Sequence, residues 1–271
     1  MTVVSPRTST ETGSLFSGPP RYEPSTPWGP WGALAATLLI FLGQLLGVAV
    51  VMAAYVSRYG TGEFSADMDP AVFFSFASPL GVATMIASQL GSILVVWLLA
   101  GWQKRRADTL SFKLPRPSLA TCVAGGLIVI MATGVIEVGL YQLFKESMHA
   151  DTKFIAEGLN SPMWWGTILV AVVFAPLWEE LTFRGFLLSA LAQTRLGFWG
   201  AALICNVIWT ALHAQYGWAG IGSVFTAGLV LSWLLWRTGS IRAPIIAHGI
   251  ANMAAVAVAY FFNPAMQAIP T

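Results

Sequence analysis

The segment FAPLWEELTFRGFLLSAL, residues 174–191, places two adjacent glutamates and an arginine inside a stretch of otherwise apolar residues. A charged side chain at the centre of a membrane-spanning helix costs about 2.5–3.5 kcal/mol on insertion scales, whereas each Leu, Ile, Phe or Val favours insertion by only about 0.3–0.6 kcal/mol. The insertion cost of three such charges therefore offsets the favourable insertion free energy of most apolar residues in one helix. We therefore expect Glu179, Glu180 and Arg184 to form a polar site within the membrane.

The composition of the chain is that of a membrane protein. Hydrophobic residues make up 56% and charged residues 10% of its 271 residues, and its mean hydropathy is +0.69. These values exclude an ordinary soluble globular domain. Cys122 and Cys205 lie in apolar runs without CxxC spacing, so neither a disulfide framework nor a thiolate metal site is indicated. The net charge of +2 is uninformative as a total, because the distribution of Lys and Arg carries the signal in a membrane protein. No nucleic-acid partner is expected.

The apolar runs predict an all-α, polytopic transmembrane helix bundle of about seven spans. Most runs are near the ~20 residues that cross ~30 Å of hydrocarbon. Residues 1–30 are rich in Ser, Thr, Pro and Gly and are expected to form a disordered cytoplasmic tail, followed by N-terminal transmembrane helices over 31–158 and a C-terminal unit of four helices over 159–265. The seven runs are 31–57, 72–101, 119–143, 162–193, 197–214, 218–236 and 243–262.

The distribution of basic residues predicts the orientation of the bundle. With a cytoplasmic N-terminus, ten basic residues lie on the inner side and three on the outer side, which follows the positive-inside rule. The inner residues are Arg7, Arg21, Lys104, Arg105, Arg106, Lys113, Arg116, Arg195, Arg237 and Arg242, and the outer ones are Arg58, Lys145 and Lys153. The C-terminus is then expected outside.

Helical spacing predicts how the charges of the fourth run are used. Glu180 and Arg184 stand at i and i+4 with the acid first, which favours an ion pair on one helix face. Glu179 is turned by about 100° from Glu180, so it cannot fully share that face and is left without an assigned partner. An unpaired carboxylate in such a site suits a general base or acid.

Further polar groups occur in two later runs. His248 and Asn252 stand at i and i+4, so their side chains could jointly donate hydrogen bonds to a developing oxyanion. His213 follows Trp209 by four residues, which allows the indole to pack beside the imidazole. The N-terminal half offers only Glu137, and this asymmetry disfavours a transporter built from two equivalent halves.

Three short segments carry a resemblance to a known family. EELTFR (179–184), WTALH (209–213) and HGIAN (248–252) occur in this order on separate apolar runs. They resemble the motifs EExxxR, FxxxH and HxxxN/D of the CPBP family of intramembrane proteases, whose name stands for CAAX protease and bacteriocin processing and which is also called Abi. The resemblance covers about residues 160–262. Trp209 departs from the usual Phe, but it preserves an aromatic neighbour for His213.

The resemblance implies an intramembrane endopeptidase of a bacterial cell membrane, with the C-terminal four helices as its catalytic core and a membrane-anchored or lipidated peptide as substrate. Glu179 would activate water with the help of His213, and Glu180 would pair with Arg184. His248 and Asn252 would stabilise the oxyanion.

A metal-dependent mechanism is the alternative at this site. The set Glu179, His213 and His248 has the His₂Glu composition of a catalytic zinc site, but no HExxH helix presents it. We expect glutamate-activated water without a cofactor, and a divalent metal such as zinc remains the alternative.

A catalytically silent scaffold or a bacteriocin-immunity type of membrane protein is the alternative function. Glu180 with Arg184 could simply fix a helix packing register, and His248 and Asn252 could join neighbouring helices. A scaffold has no evident need for Glu179, because Arg184 already has a partner. The sequence therefore favours the enzyme.

The depths of these groups disagree if every helix is straight. Counted from the inner ends at 1.5 Å per residue, Glu180 lies about 20 Å deep, His213 about 24 Å and His248 about 9 Å. The sequence therefore predicts irregular backbone near Pro176 or the glycines of residues 216–222.

Overall fold

The computed structural model describes residues 15–60, 74–114, 116–145 and 152–262, and every regular element within these ranges is helical. A short 3₁₀ turn, Trp102–Lys104, follows the second helix. The helices are α1 (Pro30–Tyr59), α2 (Pro79–Ala100), α3 (Arg106–Thr109), α4 (Leu119–Phe144), α5 (Lys153–Leu159), α6 (Trp164–Leu191), α7 (Gly197–Ala211), α8 (Trp218–Thr238) and α9 (Arg242–Phe262).

Six of these helices, α1, α2, α4, α6, α8 and α9, are long and apolar enough to cross a membrane. The chain is thus an integral, multi-pass membrane protein, and the predicted all-α bundle is confirmed. The expected count of about seven spans includes α7, which is apolar but only 15 residues long. At 1.5 Å per residue it extends about 22 Å, less than the ~30 Å of hydrocarbon.

Local sequence signals fix several helix ends. Ser78 accepts a hydrogen bond from the backbone N–H of Gly81 at 2.9 Å and caps α2, and Ser118 caps α4 through the N–H of Thr121 at 3.0 Å. Gly239 ends α8 with a φ of 64°, a left-handed conformation that glycine adopts without strain.

Helices α1 and α2 form a tightly packed pair because glycines line their contact. A Cβ atom on Gly47 would lie 2.1 Å from the carbonyl oxygen of Ala87, and one on Gly91 would lie 2.0 Å from that of Gly43. Ser92 Oγ donates to the carbonyl oxygen of Ile40 at 2.9 Å across the same contact. Small residues permit this close backbone approach, which stabilises helix pairs in lipid by van der Waals packing.

Gly47→Ala is expected to destabilise the protein by about 1–3 kcal/mol, the usual cost of overpacking. The added methyl group meets a backbone carbonyl, which cannot move aside as a side chain could. Gly134→Ala is the matched control, because a Cβ there meets nothing within 4 Å. Thermal unfolding in detergent should show a loss for the first variant and none for the second. Equal melting temperatures would contradict the packing.

Residues 15–29 pack on the bundle, so the prediction of a disordered segment is wrong for them, and residues 1–14 lie outside the described residues. Leu15 is buried, and the indole Nε1–H of Trp28 donates to the carbonyl oxygen of Leu99 at 3.0 Å. The Arg237 guanidinium donates, at 2.6 to 2.8 Å, to the carbonyl oxygens of Leu15, Ser17 and Gly18. These contacts offset the entropy lost on ordering a segment whose composition is typical of disorder.

Helix α6 contains the irregular backbone that the sequence predicts near Pro176. Two π-helical stretches, Val170–Phe174 and Glu180–Leu187, flank the α-helical turn that contains the proline. The N–H of Ala175 bonds to the carbonyl oxygen of Val170, five residues back. Near the predicted glycines, by contrast, the chain turns over residues 212–217 and α8 begins at Trp218. Such π stretches often accompany functional sites.

Candidate active site

A polar cluster lies where α6, α7 and α9 meet inside the bundle. Helix α6 contributes Glu179, Glu180 and Arg184, α7 contributes Trp209 and α9 contributes His248, and all five are buried. The structure thus brings together five of the seven residues singled out from the sequence.

Glu180 is the fully enclosed acid of this cluster. Its Oε1 accepts hydrogen bonds from Arg184 Nη1 and from His248 Nδ1, each at 3.0 Å. The predicted ion pair with Arg184 is therefore present. The bond to His248 was not predicted, because helical spacing relates residues within one helix and says nothing about which face of α9 meets α6.

Glu179 is the more accessible acid. Its side chain is 10% exposed, whereas that of Glu180 is 0% exposed. The indole Nε1–H of Trp209 donates to Glu179 Oε2 at 2.7 Å, and His248 Nε2 lies 3.9 Å from the same oxygen. The prediction that Glu179 lacks a partner is wrong, because its donor lies on another helix and spacing within α6 cannot indicate it.

Trp209 contacts four members of the candidate site. The Arg184 guanidinium lies over its ring, with Cζ 4.3 Å from the ring centroid, which is cation–π geometry. Its ring also meets those of His213 and His248 edge-on, with centroid separations of 5.2 and 5.6 Å. The predicted packing of Trp209 beside His213 is confirmed, and the indole additionally links Arg184 to Glu179.

Trp209→Phe keeps the aromatic ring and removes the N–H donor to Glu179. A hydrogen bond to a charged group is worth about 1.5–3 kcal/mol, so we expect turnover to fall by at least about tenfold if that bond positions Glu179. Trp178→Phe is the control, since Trp178 is a buried tryptophan of α6 that packs on Phe41 and Phe183. Equal turnover in the two variants would show that the indole N–H has no part in the reaction.

His213 lies in the turn after α7, and no hydrogen bond joins it to Glu179 in the described part of the chain. Its Nδ1 lies 3.0 Å from the carbonyl oxygen of Trp209, and because a carbonyl can only accept, Nδ1 carries the proton. The basic nitrogen of the neutral ring is then Nε2. The structure thus shows no hydrogen bond through which His213 would assist Glu179, and the role of His213 stays a prediction.

Asn252 contacts the irregular part of α6. Its Nδ2 donates to the carbonyl oxygen of Ala171 at 2.8 Å. In a π-helical ladder that carbonyl would accept from the N–H five residues later, but residue 176 is proline and has none. Asn252 thus replaces the missing donor. One amide hydrogen is occupied in this way, so the expected joint donation with His248 to an oxyanion stays a prediction.

The three side chains of the zinc alternative do not converge in this structure. Within residues 15–60, 74–114, 116–145 and 152–262, no three His, Cys, Asp or Glu side chains converge as metal ligands would. Glu179 and His248 are near each other, whereas His213 lies in the turn after α7 and bonds the carbonyl oxygen of Trp209 through Nδ1. Whether the reaction uses a divalent metal stays a prediction. Glu137 lies between α4 and α8, where its Oε2 accepts from Ser223 Oγ at 3.3 Å.

Asn206 and Gly228 also border the cluster, and the sequence reasoning did not single them out. Asn206 is a fully buried amide on α7, and a Cβ on Gly228 would meet both its side chain and that of Arg184. A polar residue inside an apolar run was the available signal, because such residues usually join helices or mark a site.

Comparison with known proteins agrees with the motif-based resemblance. Residues 161–254 match the family model described as type II CAAX prenyl endopeptidase Rce1-like. An uncharacterized 24.3 kDa protein of Escherichia coli is 30% identical over 126 residues, which cover 44% of this chain and 58% of that protein. The candidate membrane peptidase YdiL of Bacillus subtilis (strain 168) is 29% identical over 140 residues, which cover 50% of this chain and 54% of that protein.

The chain thus spans just over half the length of the curated relatives it matches. No solved structure gave a significant match. All five residues of the buried cluster lie within the matched segment, and the predicted resemblance to the CAAX-protease type of intramembrane protease is confirmed.

Proposed function

We propose that this chain, whose residues 161–254 match the Rce1-like CAAX endopeptidases, is an intramembrane endopeptidase that uses Glu179 to activate water. The observation that carries the proposal is the contrast between two adjacent acids. Glu180 is sealed and bonded to Arg184 and His248, whereas Glu179 keeps partial access and faces His248 Nε2 at 3.9 Å. A purely structural ion pair requires only the first arrangement.

In the proposed reaction, a water molecule donates a hydrogen bond to Glu179 and gives up its proton to that carboxylate. The resulting hydroxide attacks the scissile carbonyl carbon, and the electron pair of the C=O bond moves onto oxygen. Collapse of the tetrahedral intermediate expels the amine, which takes the proton from Glu179. A positioned general base of this kind typically contributes about 10²–10⁴-fold to the rate.

His248 is proposed to stabilise the oxyanion. Its Nδ1 is held by Glu180, which fixes the ring so that Nε2 points toward Glu179. When the ring carries protons on both nitrogens, Nε2 can donate to the developing negative charge, and Glu180 balances the charge of the imidazolium. Donors fixed in advance in a water-poor site are the most effective form of such stabilisation. We propose no cofactor for this reaction.

A comparison of membrane proteomes tests the function without a known substrate, which we propose to be a membrane-anchored or lipidated peptide or protein. Cells expressing the wild type, Glu179→Ala or Glu157→Ala are compared for new peptide termini in the membrane and medium. Glu157 is the control because it lies on α5 and pairs loosely with Lys153 at 3.9 Å. We expect a cleavage product that is absent only with Glu179→Ala. Identical termini in all three strains would favour the silent scaffold.

A topology measurement tests the proposed orientation in a bacterial cell membrane. If α7 and its following turn return the chain across the membrane, the N- and C-termini lie on opposite sides. A reporter fused after Thr271 is expected outside, and one inserted between Arg105 and Arg106 inside, because of the basic asymmetry. A cytoplasmic reporter at Thr271 would mean that α7 does not count as a crossing.

A further inference from the structure

Asn206 is a buried amide whose two polar atoms face different partners. It is 0% exposed on α7, and its Nδ2 donates to the carbonyl oxygen of Phe225 on α8 at 2.9 Å. Its Oδ1 is buried and accepts no hydrogen bond that meets ordinary distance and angle limits. A buried carbonyl group without a donor is costly, so what lies beside Oδ1 matters.

Asn206 Oδ1 and Arg184 Nη2 both lie beside the backbone of Gly228. A Cβ on Gly228 would stand 1.5 Å from Asn206 Oδ1 and 2.8 Å from Arg184 Nη2, so both atoms border the space that this glycine leaves open. Arg184 Nη2 also lacks an acceptor within those limits, although Nη1 of the same group bonds Glu180. A guanidinium N–H donor and an amide acceptor thus lie close together beside Gly228, each without another partner among the described residues and without a hydrogen bond of ordinary geometry between them.

We propose that Asn206 is a positioning residue, which holds Arg184 at Nη2 while Glu180 is bonded to Nη1, and thereby fixes Glu180 and His248 in the candidate site. Gly228 makes the contact possible, because any side chain there would separate the amide from the guanidinium. The effect on catalysis rests on the proposed peptidase function, whereas the effect on His248 does not.

Because the guanidinium is rigid and its nitrogens lie in one plane, a change in the position of Nη2 also changes the position of Nη1. Nη1 and His248 Nδ1 share the same oxygen of Glu180, each at 3.0 Å. The face of the guanidinium is covered by Trp209. Losing the acceptor at Nη2 therefore lets Glu180 move away from His248, and His248 Nε2 loses its direction toward Glu179.

A merely structural role for Asn206 makes a different prediction. In that case its Nδ2 bond to Phe225 would only join α7 to α8. Asn206→Asp separates the two roles, since it keeps an acceptor for Arg184 but loses the donor to the Phe225 carbonyl. Asn206→Leu keeps a similar volume and loses both. Positioning predicts that Asp retains more activity than Leu, whereas helix joining predicts that Asp is no better.

The first experiment measures kinetics of the purified full chain on a peptide found by the proteome comparison. Asn206→Leu is expected to lower kcat by at least about tenfold, because His248 is no longer fixed, with KM within about twofold. Asn206→Asp should retain most of the activity. Ser92→Ala, which removes the remote interhelical bond to Ile40, should match the wild type. Equal kcat values for Asp and Leu would overturn the proposal.

The second experiment needs no substrate. The chain contains three histidines, so ¹⁵N-histidine labelling gives a spectrum simple enough to assign His248. The wild type should show a proton on Nδ1 whether or not Nε2 is also protonated, whereas in Asn206→Leu part of the population should carry its ring proton on Nε2 alone. If Asn206→Leu fails to accumulate, Gly228→Ala tests the same contact, with Gly134→Ala as control. An unchanged His248 signal in the variant would overturn the positioning role. A wild type that cleaves no peptide, together with the expected change of the His248 signal in the variant, would overturn only the peptidase function.

Discussion

Glu179→Gln is expected to lower turnover by about 10²–10⁴-fold, the scale of general-base catalysis, while the protein unfolds at nearly the wild-type temperature. Glutamine keeps the shape of the side chain and can still accept the 2.7 Å hydrogen bond from Trp209 through its amide oxygen. It cannot take a proton from water at neutral pH. The variant therefore removes the proposed chemistry and leaves the packing in place.

The measurement is kcat on a confirmed substrate together with thermal unfolding in detergent. Glu157→Gln is the matched control, because it makes the same chemical change on an exposed acid of α5. Activity of Glu179→Gln within threefold of the wild type would exclude Glu179 as the base. A large loss of stability would instead show that the Glu179 carboxylate is needed for folding.

Arg184→Met is expected to destabilise the protein by about 3–5 kcal/mol, the usual cost of removing one partner from a buried ion pair. Both side chains are sealed, with 1% exposure for Arg184 and 0% for Glu180. Removing the guanidinium leaves the Glu180 carboxylate without its counter-charge in a water-poor site, and it also uncovers the face of Trp209. Poor accumulation or a markedly lower melting temperature is the expected result.

The double variant Glu180→Gln with Arg184→Met should recover much of the lost stability, because it leaves no isolated charge in the bundle. It should remain inactive, since Glu180 also holds His248. Arg106→Met is the control for loss of an arginine that stacks on a tryptophan, because Arg106 lies over Trp97 at an exposed site. If Arg184→Met unfolds like Arg106→Met, the pair does not stabilise the fold. If the single Glu180→Gln proves as active as the wild type, Glu180 does not position His248.

The sequence predicted a large part of the site because much of it is local. The i, i+4 pair of Glu180 and Arg184, and the packing of Trp209 beside His213, follow from helix geometry within one segment. The order of three motifs predicted the family resemblance. The indole bond to Glu179 and the amide bond of Asn252 to Ala171 were not predicted, because each joins residues from different helices.

The N-terminal segment also could not be predicted from local sequence, because its contacts come from distant residues. Composition predicted disorder for residues 1–30, and composition reports only on the burial that a segment can achieve by itself. Residues 15–29 are ordered by partners elsewhere in the chain, above all Arg237, which lies more than 200 residues later. No local pattern in the segment specifies that arginine.

By itself, the sequence determined the membrane-spanning character of the chain, the helical bundle and which residue types could carry chemistry, because hydropathy and helical periodicity are properties of short segments. Only the tertiary structure decided which acid is sealed and which is accessible. Glu179 and Glu180 are neighbours in the chain, and Glu180 pairs with Arg184 of its own helix. The packing of α7 and α9 around α6 adds His248 to Glu180 and Trp209 to Glu179. That difference arises from burial and cross-helix hydrogen bonds, which exist only once the helices are assembled.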